Sequence, residues 1–490
     1  MKKQKLIKKL TAAVLITVVT TILATALASL NPLNKWQLKL TNHLYNRNAP
    51  SDEIVIVAID EGSLDEDSGL GKWQDWDRSY YGEAIENLNK KGASTIAVDL
   101  VFSEESQGIS KLNLEEILLE SSSFEDAFKT TVSYTATPHP EDEAFAEILE
   151  KYGNTIIAKS HSESNGPNIK PEEPIAIIAK NTYAASALAY SDDDEVFRRT
   201  YPYLYNLNIE EWEPNFSVKT IELHLGETPA ALENNLVNDQ LIVNFAAPPY
   251  SFTAIPFVDA YYNYLDEIDL KDKIVLIGPT ADRFKDTFLT PTSTSVPMPG
   301  VEFRANEIQT ILEGSYLLEQ SVAGQAVMIA LLTLILTAAV MFLPIFGGVA
   351  ATIVIIAGHQ FSAQTFFNNG LILNLVYPTL ALLAAYLATT LYKFVTEVRE
   401  KKQIKGAFGK YVNKDLANKI LDNPEALKLG GDRRTITVFF SDIANFTNFS
   451  EKSEPEALVA QLNEYFEVMA GVILRNNGNL NKFEGDAIMA

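Results

Sequence analysis

The chain has 490 residues and no cysteine, so it is too long for one ordinary domain and offers neither disulfides nor thiolate metal sites. Its formal net charge is −23, yet the first ten residues hold five lysines, residues 10–30 and 321–392 hold no charged side chain, and 393–490 hold 14 basic and 14 acidic residues. The excess negative charge therefore falls on 31–320, which argues against nucleic acid as a partner.

Residues 1–9 are basic, and residues 10–30, LTAAVLITVVTTILATALASL, are long enough to cross a bilayer as a helix. A cleavable signal peptide begins in a similar way, and ATALA reads as a small-residue cleavage site, but its apolar region is normally shorter. The run is read as an uncleaved anchor.

Residues 31–320 are ample for a large core. Near-continuous apolar runs at 54–60, 94–102, 154–160, 241–246 and 273–278 predict strands buried on both faces. Between some of them, 78–93 and 141–153 carry apolar residues at helical spacing. The alternation predicts an α/β domain with a mainly parallel sheet. Asp60 and Asp99 follow two of the strands. Two readings stand: carboxylates lining a ligand crevice at a switch point of the sheet, or caps of the following turns. No nucleophile–base pair and no histidine cluster stands out, so catalysis is not expected in this region.

Turn-like breaks at 344–348 and 368–370 divide the long uncharged stretch into three spans, 322–343, 347–367 and 371–392. With 10–30 these make four, and they place both basic ends on one side, as the positive-inside bias requires. The expected topology is a multi-pass inner (plasma) membrane protein with 31–320 outside and both ends in the cytoplasm. His359 falls within the third span, as a hydrogen-bonded polar group at a helix interface or as a proton site.

Residues 393–432 leave the membrane as a connector, with Leu416 and Ile420 at helical spacing until Pro424 and Gly430–Gly431 break the pattern. A strand by propensity follows at 435–440, with Asp442 directly beyond it. Pro455 opens a helix whose apolar face is Leu458, Leu462, Tyr465, Phe466, Met469 and Val472. Then comes a strand, a turn at Glu484–Gly485, and a second strand from Asp486. If the strands pair, Asp442 and Asp486 come to adjacent strand ends. Paired carboxylates on a sheet can hold two divalent cations against a nucleoside triphosphate, and the loop amides after Asp442 suit phosphate. Two plain surface carboxylates would give the same pattern.

The segments IVIVAIDEGSL, GASTIAVDLVFSE, KIVLIGPTADRFKDTFLTP and MPGVEFRANEIQTIL resemble the second type of CHASE domain, the extracytoplasmic sensor of bacterial signalling proteins. Three spans after such a domain are typical of that family. FSDIANFT, LNEYFEVM and LNKFEGDAIMA resemble class III nucleotide cyclases. Together the resemblances imply a multi-domain membrane protein: an α/β extracytoplasmic sensor domain, four transmembrane helices, and at 433–490 the first part of an α+β, ferredoxin-like class III cyclase domain.

The cyclase resemblance also implies site roles. Asp442, Asp486 and the backbone carbonyl of Ile443 hold two divalent cations, Mg2+ or Mn2+. The amides of Asn445, Phe446 and Thr447 cradle the triphosphate, with Asn445 standing where many members have Gly. Lys482 reads the base, and since lysine only donates hydrogen bonds it suits the acceptor N1 of adenine and hence ATP. The expected protein is a receptor-type adenylate cyclase that makes cyclic AMP and pyrophosphate as a homodimer, under control of an unknown extracytoplasmic ligand. The alternatives are a guanylate cyclase, which Lys482 disfavours, and a non-catalytic sensor signalling through dimer contacts. The turn motif of diguanylate cyclases is absent, since GGDRR at 430–434 does not match it. The second base-reading residue and the Asn and Arg that stabilise the transition state are expected beyond residue 490, so the chain as given is expected to be inactive alone.

Overall fold

The computed structural model describes residues 2–45, 49–67, 70–104, 139–266, 268–408 and 435–490. The chain divides into two units, Leu10–Ala339 with Phe346–Ala385, and Met1–Lys9 with Val340–Ile345 and Tyr386–Ala490.

The centre of the larger unit is a nine-stranded sheet. Strands Thr253–Pro256, Ile54–Ile59, Ile274–Pro279, Thr95–Val101 and Thr155–Asn165 lie side by side in that order, all parallel. Tyr183–Ser186 adds to the last of these, also parallel. The far half of Thr155–Asn165 turns back as an antiparallel hairpin with Asn168–Glu172, and Tyr203–Asn206 and Glu211–Pro214 extend the sheet from there. The expected mainly parallel α/β domain is what forms.

The apolar runs work as strands because both faces are covered. Val55, Val57 and Ile59 pack with Ile85 and Leu88 of helix Arg78–Lys90 and with Phe145 and Leu149 of helix Pro140–Tyr152. The alternate residues Ile54, Ile56 and Ala58 pack with Phe216 and Ile221 of helix Phe216–Leu225 and with Val301, Ala305 and Ile308 of helix Gly300–Leu312. Each such side chain contributes about 1.5–3 kcal/mol when fully buried. The helix ends are readable in sequence: Asp77 accepts the Ser79 amide, and Gly153 closes Pro140–Tyr152 in a left-handed conformation.

Two expectations need correction here. The run 241–246 is not a strand of the main sheet. Leu241–Ile242 pairs antiparallel with Phe197–Thr200 in a separate small sheet. Beyond it, the amides of Asn244 and Ala246 are taken by the Thr310 hydroxyl and the Asn306 side-chain oxygen of helix Gly300–Leu312. Side chains there replace a neighbouring strand, which keeps the buried backbone satisfied. The strand at 435–440 is likewise shorter than its propensity suggests. Only Phe440–Ser441 forms a ladder, with one further backbone pair between Phe439 and Ala490.

Among the described residues, five helices are long and apolar enough to cross a membrane: Lys3–Leu30, Val322–Phe342, Ile345–Asn368, Val376–Glu400 and Pro455–Arg475. The first four correspond to the expected spans. The fifth carries Glu456, Glu464 and Glu467, and its Phe466 ring lies 4.3 Å from that of Phe483 in the following hairpin. The helix expected from residue 371 starts at Val376 instead. Leu371–Ile372 pairs with Leu318–Glu319, and Asn374 then caps the helix by accepting the Tyr377 amide. Thr17 and Thr337 share a hydroxyl hydrogen bond at 3.0 Å. His359 is buried and its Nε2 meets the Asn374 carbonyl at 3.0 Å, the arrangement of a satisfied polar group at a helix interface.

Residues 409–434 lie outside the described residues, and with them Leu416, Ile420, Pro424 and Gly430–Gly431 of the expected connector.

Candidate functional site

Strands Phe440–Ser441, Ala487–Met489 and Lys482–Glu484 form an antiparallel sheet with Ala487–Met489 in the middle. Phe440 faces Met489 and Ser441 faces Ile488. Asp442 is the next residue on one strand, and Asp486 precedes Ala487 on the other. The register therefore puts both carboxylates at one end of the sheet. A backbone contact joins them: the Ile443 amide donates to a carboxylate oxygen of Asp486 at 3.3 Å. Gly485, at φ +65°, supplies the left-handed residue that the hairpin turn requires.

The loop after Asp442 turns at Asn445, whose φ of 58° and ψ of 27° are left-handed, a conformation that Asn tolerates better than most residues. The short helix Phe446–Ser450 follows. The Phe446 amide donates to the Ile443 carbonyl at 3.2 Å, so one of the three amides expected at phosphate already has a partner. The amides of Asn445 and Thr447 have none among the described residues. Lys482 lies opposite Met489, away from the turn, and its ammonium pairs with Glu484 at 3.2 Å with both side chains largely exposed.

Neither aspartate pairs with a Lys or Arg among the described residues, and no group of three or more His, Cys, Asp or Glu that could hold a metal occurs among them. Two carboxylates and the Ile443 carbonyl are all oxygen donors, the set that suits a hard divalent cation such as Mg2+.

In the larger unit, Asp60 caps its turn. One carboxylate oxygen accepts both the amide and the hydroxyl of Ser63, at 2.8 and 2.7 Å. Asp99 does not cap. Burial pushes its carboxyl up to about 7, against the pull of Arg304 and with Asp286 and Glu307 adding to the rise. Arg304 is itself buried, donating to Glu307 at 2.8 Å and to the Leu188 carbonyl at 3.3 Å. Sequence reading missed this cluster because Gly300–Leu312, buried almost along its whole length, shows no separate polar face to mark its charges as internal.

A pH effect follows. The folded state holds Asp99 neutral well above the ordinary value of 3.8. Stability is full below about pH 4 and falls as the pH rises through 7, by roughly 4 kcal/mol at most. Asp99→Asn should therefore leave the unfolding temperature nearly unchanged at pH 3.5 and raise it at pH 8. Parallel pH profiles for variant and parent would contradict this.

Residues 15–343 match the CHASE2 domain, well over half of the chain. The chain belongs to the CHASE2 family. Residues 431–490 match the adenylate and guanylate cyclase catalytic domain, so this CHASE2 protein is multi-domain and carries cyclase sequence after its apolar helices. It is 34% identical over 93 residues to uncharacterised proteins of Mycobacterium tuberculosis (strain ATCC 25618 / H37Rv) and Mycobacterium bovis, a match covering 19% of this chain and 17% of each relative. It is 35% identical over 83 residues to adenylate cyclase 1 of Rhizobium meliloti (strain 1021), covering 17% of this chain and 12% of that protein. The chain thus covers less than a fifth of the length of these relatives. No solved structure matches it.

Proposed function

We propose that this CHASE2 protein is a membrane-bound, receptor-type adenylate cyclase. The observation that supports the reading best is the meeting of Asp442 and Asp486 at one sheet end, joined through the Ile443 amide, within the cyclase match. Two divalent cations, Mg2+ or Mn2+, held by Asp442, Asp486 and the Ile443 carbonyl, supply charge neutralisation on the attacking and leaving oxygens. The amides of Asn445 and Thr447 donate to the triphosphate. Lys482 donates to adenine N1. Its exposed pair with Glu484 is worth at most about 1 kcal/mol, so the ammonium is readily given up to a base.

The reaction is in-line attack of the ribose 3′ oxygen on the α-phosphorus. The new bond closes the cyclic phosphodiester, the bond to the β-phosphate oxygen breaks, pyrophosphate leaves, and the 3′ hydroxyl proton passes to solvent. Protein carrying the whole catalytic domain should convert ATP to cyclic AMP with Mg2+ or Mn2+. Cyclic GMP from GTP as the main product would overturn the adenylate assignment.

The receptor part of the proposal sets residues 1–9 and 393–490 inside and 31–320 outside, with spans at 10–30, 322–343 and 347–367 and a fourth that starts at Val376 and runs to 392. Reporter fusions at Asp192 and Lys428 should then give opposite locations. The same location at both positions would refute the four-span arrangement.

A further inference from the structure

A cavity of about 440 Å³ lies where the end of the α/β domain meets the turn between two apolar helices, a volume within the range of small-molecule sites. Four chain segments form it. Tyr45 follows the segment after the first apolar helix. Asn244 and Phe245 come from the buried stretch beyond Leu241–Ile242. Glu313 to Tyr316 follow helix Gly300–Leu312, and Phe367 to Gly370 close helix Ile345–Asn368.

The lining has a definite chemistry. One wall is aromatic: the Tyr45 ring stands edge-on to Phe245 at 6.0 Å and to Phe367 at 4.9 Å. The polar groups are mostly acceptors with capacity to spare. Glu313 accepts a single hydrogen bond, from Gln309 at 2.8 Å. Asn244 donates to the Ser315 carbonyl, and its own side-chain oxygen accepts nothing among the described residues. Among the described residues, no Lys, Arg or His lines the cavity. The guanidinium groups acting on Tyr45, Arg198 and Arg199, are already paired with Asp192, Asp194 and Glu319. Among the described residues an anion would find no counter-charge here. A cation finds the Glu313 carboxylate and the free Asn244 oxygen beside a wall of buried aromatic side chains, a setting that favours an organic ammonium group.

We propose that this cavity binds a small organic ammonium ion and is the input site of the receptor. The second half rests on the receptor reading above; the binding itself does not. The position explains how occupancy would be felt. Phe367 to Gly370 and the paired segments Leu318–Glu319 and Leu371–Ile372 connect the cavity wall directly to helices Val322–Phe342, Ile345–Asn368 and Val376–Phe408. Gly370 sits so close that an added Cβ would stand 2.7 Å from the Tyr316 carbonyl oxygen, so the two sides of the cavity are in contact already. A ligand held by Glu313 and the aromatic wall would shift the balance at that seam.

The test uses the full chain in lipid nanodiscs and measures equilibrium binding of choline, tetramethylammonium and putrescine, with acetate as the anionic control. At least one ammonium probe should bind saturably, and acetate should not. Glu313 is exposed, so Glu313→Gln should fold normally and weaken that probe at least tenfold. Ser315→Lys, which brings a cation to the same wall, is the second variant and should abolish binding. Absence of saturable binding by all three probes, or equal affinity in parent and both variants, would overturn the site. Because binding is read without turnover, a failure of the cyclase assignment leaves this result intact. Saturable binding that leaves cyclic AMP production unchanged would remove the input role and keep the site.

Discussion

Asp486→Ala, made in protein carrying the whole catalytic domain, is expected to slow ATP cyclisation by about two to three orders of magnitude. A carboxylate that neutralises metal charge contributes several kcal/mol in the transition state, and each 1.4 kcal/mol or so is a factor of ten in rate. The loss has a second source to separate. Asp486 also accepts the Ile443 amide, and a hydrogen bond to a charged group is worth about 1.5–3 kcal/mol, a factor of roughly ten to a hundred and fifty. Loosening the loop alone therefore reaches only the lower end of the expected fall. Asp442 has no such contact to the loop among the described residues, so Asp442→Ala should lose as much activity with no change in unfolding temperature. Turnover within tenfold of the parent in purified, folded Asp486→Ala protein would reject the metal assignment for that residue.

The parts of the fold that were legible in the sequence are those where one local signal met a matching partner. The run from Ile54 to Ile59 is apolar at every position and every position is buried, because helices cover both faces. Residues 241–246 carry nearly the same signal. Their neighbour is helix Gly300–Leu312, which satisfies the backbone through Asn306 and Thr310, and composition does not reveal which partner a buried segment will have. The start of the last apolar helix was misplaced for a related reason: Leu371 and Ile372 are as apolar as the helix, and only the remote partner Leu318–Glu319 makes them a strand. At the candidate site, the two aspartates could be brought together from strand and turn signals alone, since hairpin register follows from the turn. Lys482 and Glu484, two residues apart on one strand, form an exposed surface pair. Asp99 stood out in the sequence, but its neighbour Arg304 and the Tyr45 cavity did not, because each grouping is assembled from segments distant along the chain.

The hairpin geometry leads to the remaining prediction. Lys482 is paired with Met489, and Asp486 lies beyond the turn-closing pair Glu484–Ala487, so the proposed base reader and the proposed metal ligand sit at opposite ends of one short hairpin. The resemblance to class III cyclases implies sites shared between two catalytic domains, with Asp442 and Asp486 of one protomer facing Lys482 of the other. In a two-fold dimer the two ends of each hairpin then serve different sites. Protein carrying the whole catalytic domain with Asp442→Ala, and the same protein with Lys482→Ala, should each be inactive or weak alone. A heterodimer of the two places both lesions in one site and neither in the other, so it should have half the activity of the parent dimer. In an equal, fully exchanged mixture half the dimers are mixed, and total activity should approach about a quarter of the parent. A site built within one protomer predicts no recovery, because every site would then carry one lesion. The same arrangement gives a receptor its means of control: a signal that changes how two inner domains meet changes whether each aspartate pair faces a lysine. Subunit exchange must be measured in the same mixture, for example by co-purification of differently tagged chains. Proven exchange without recovered cyclic AMP synthesis would exclude the shared site.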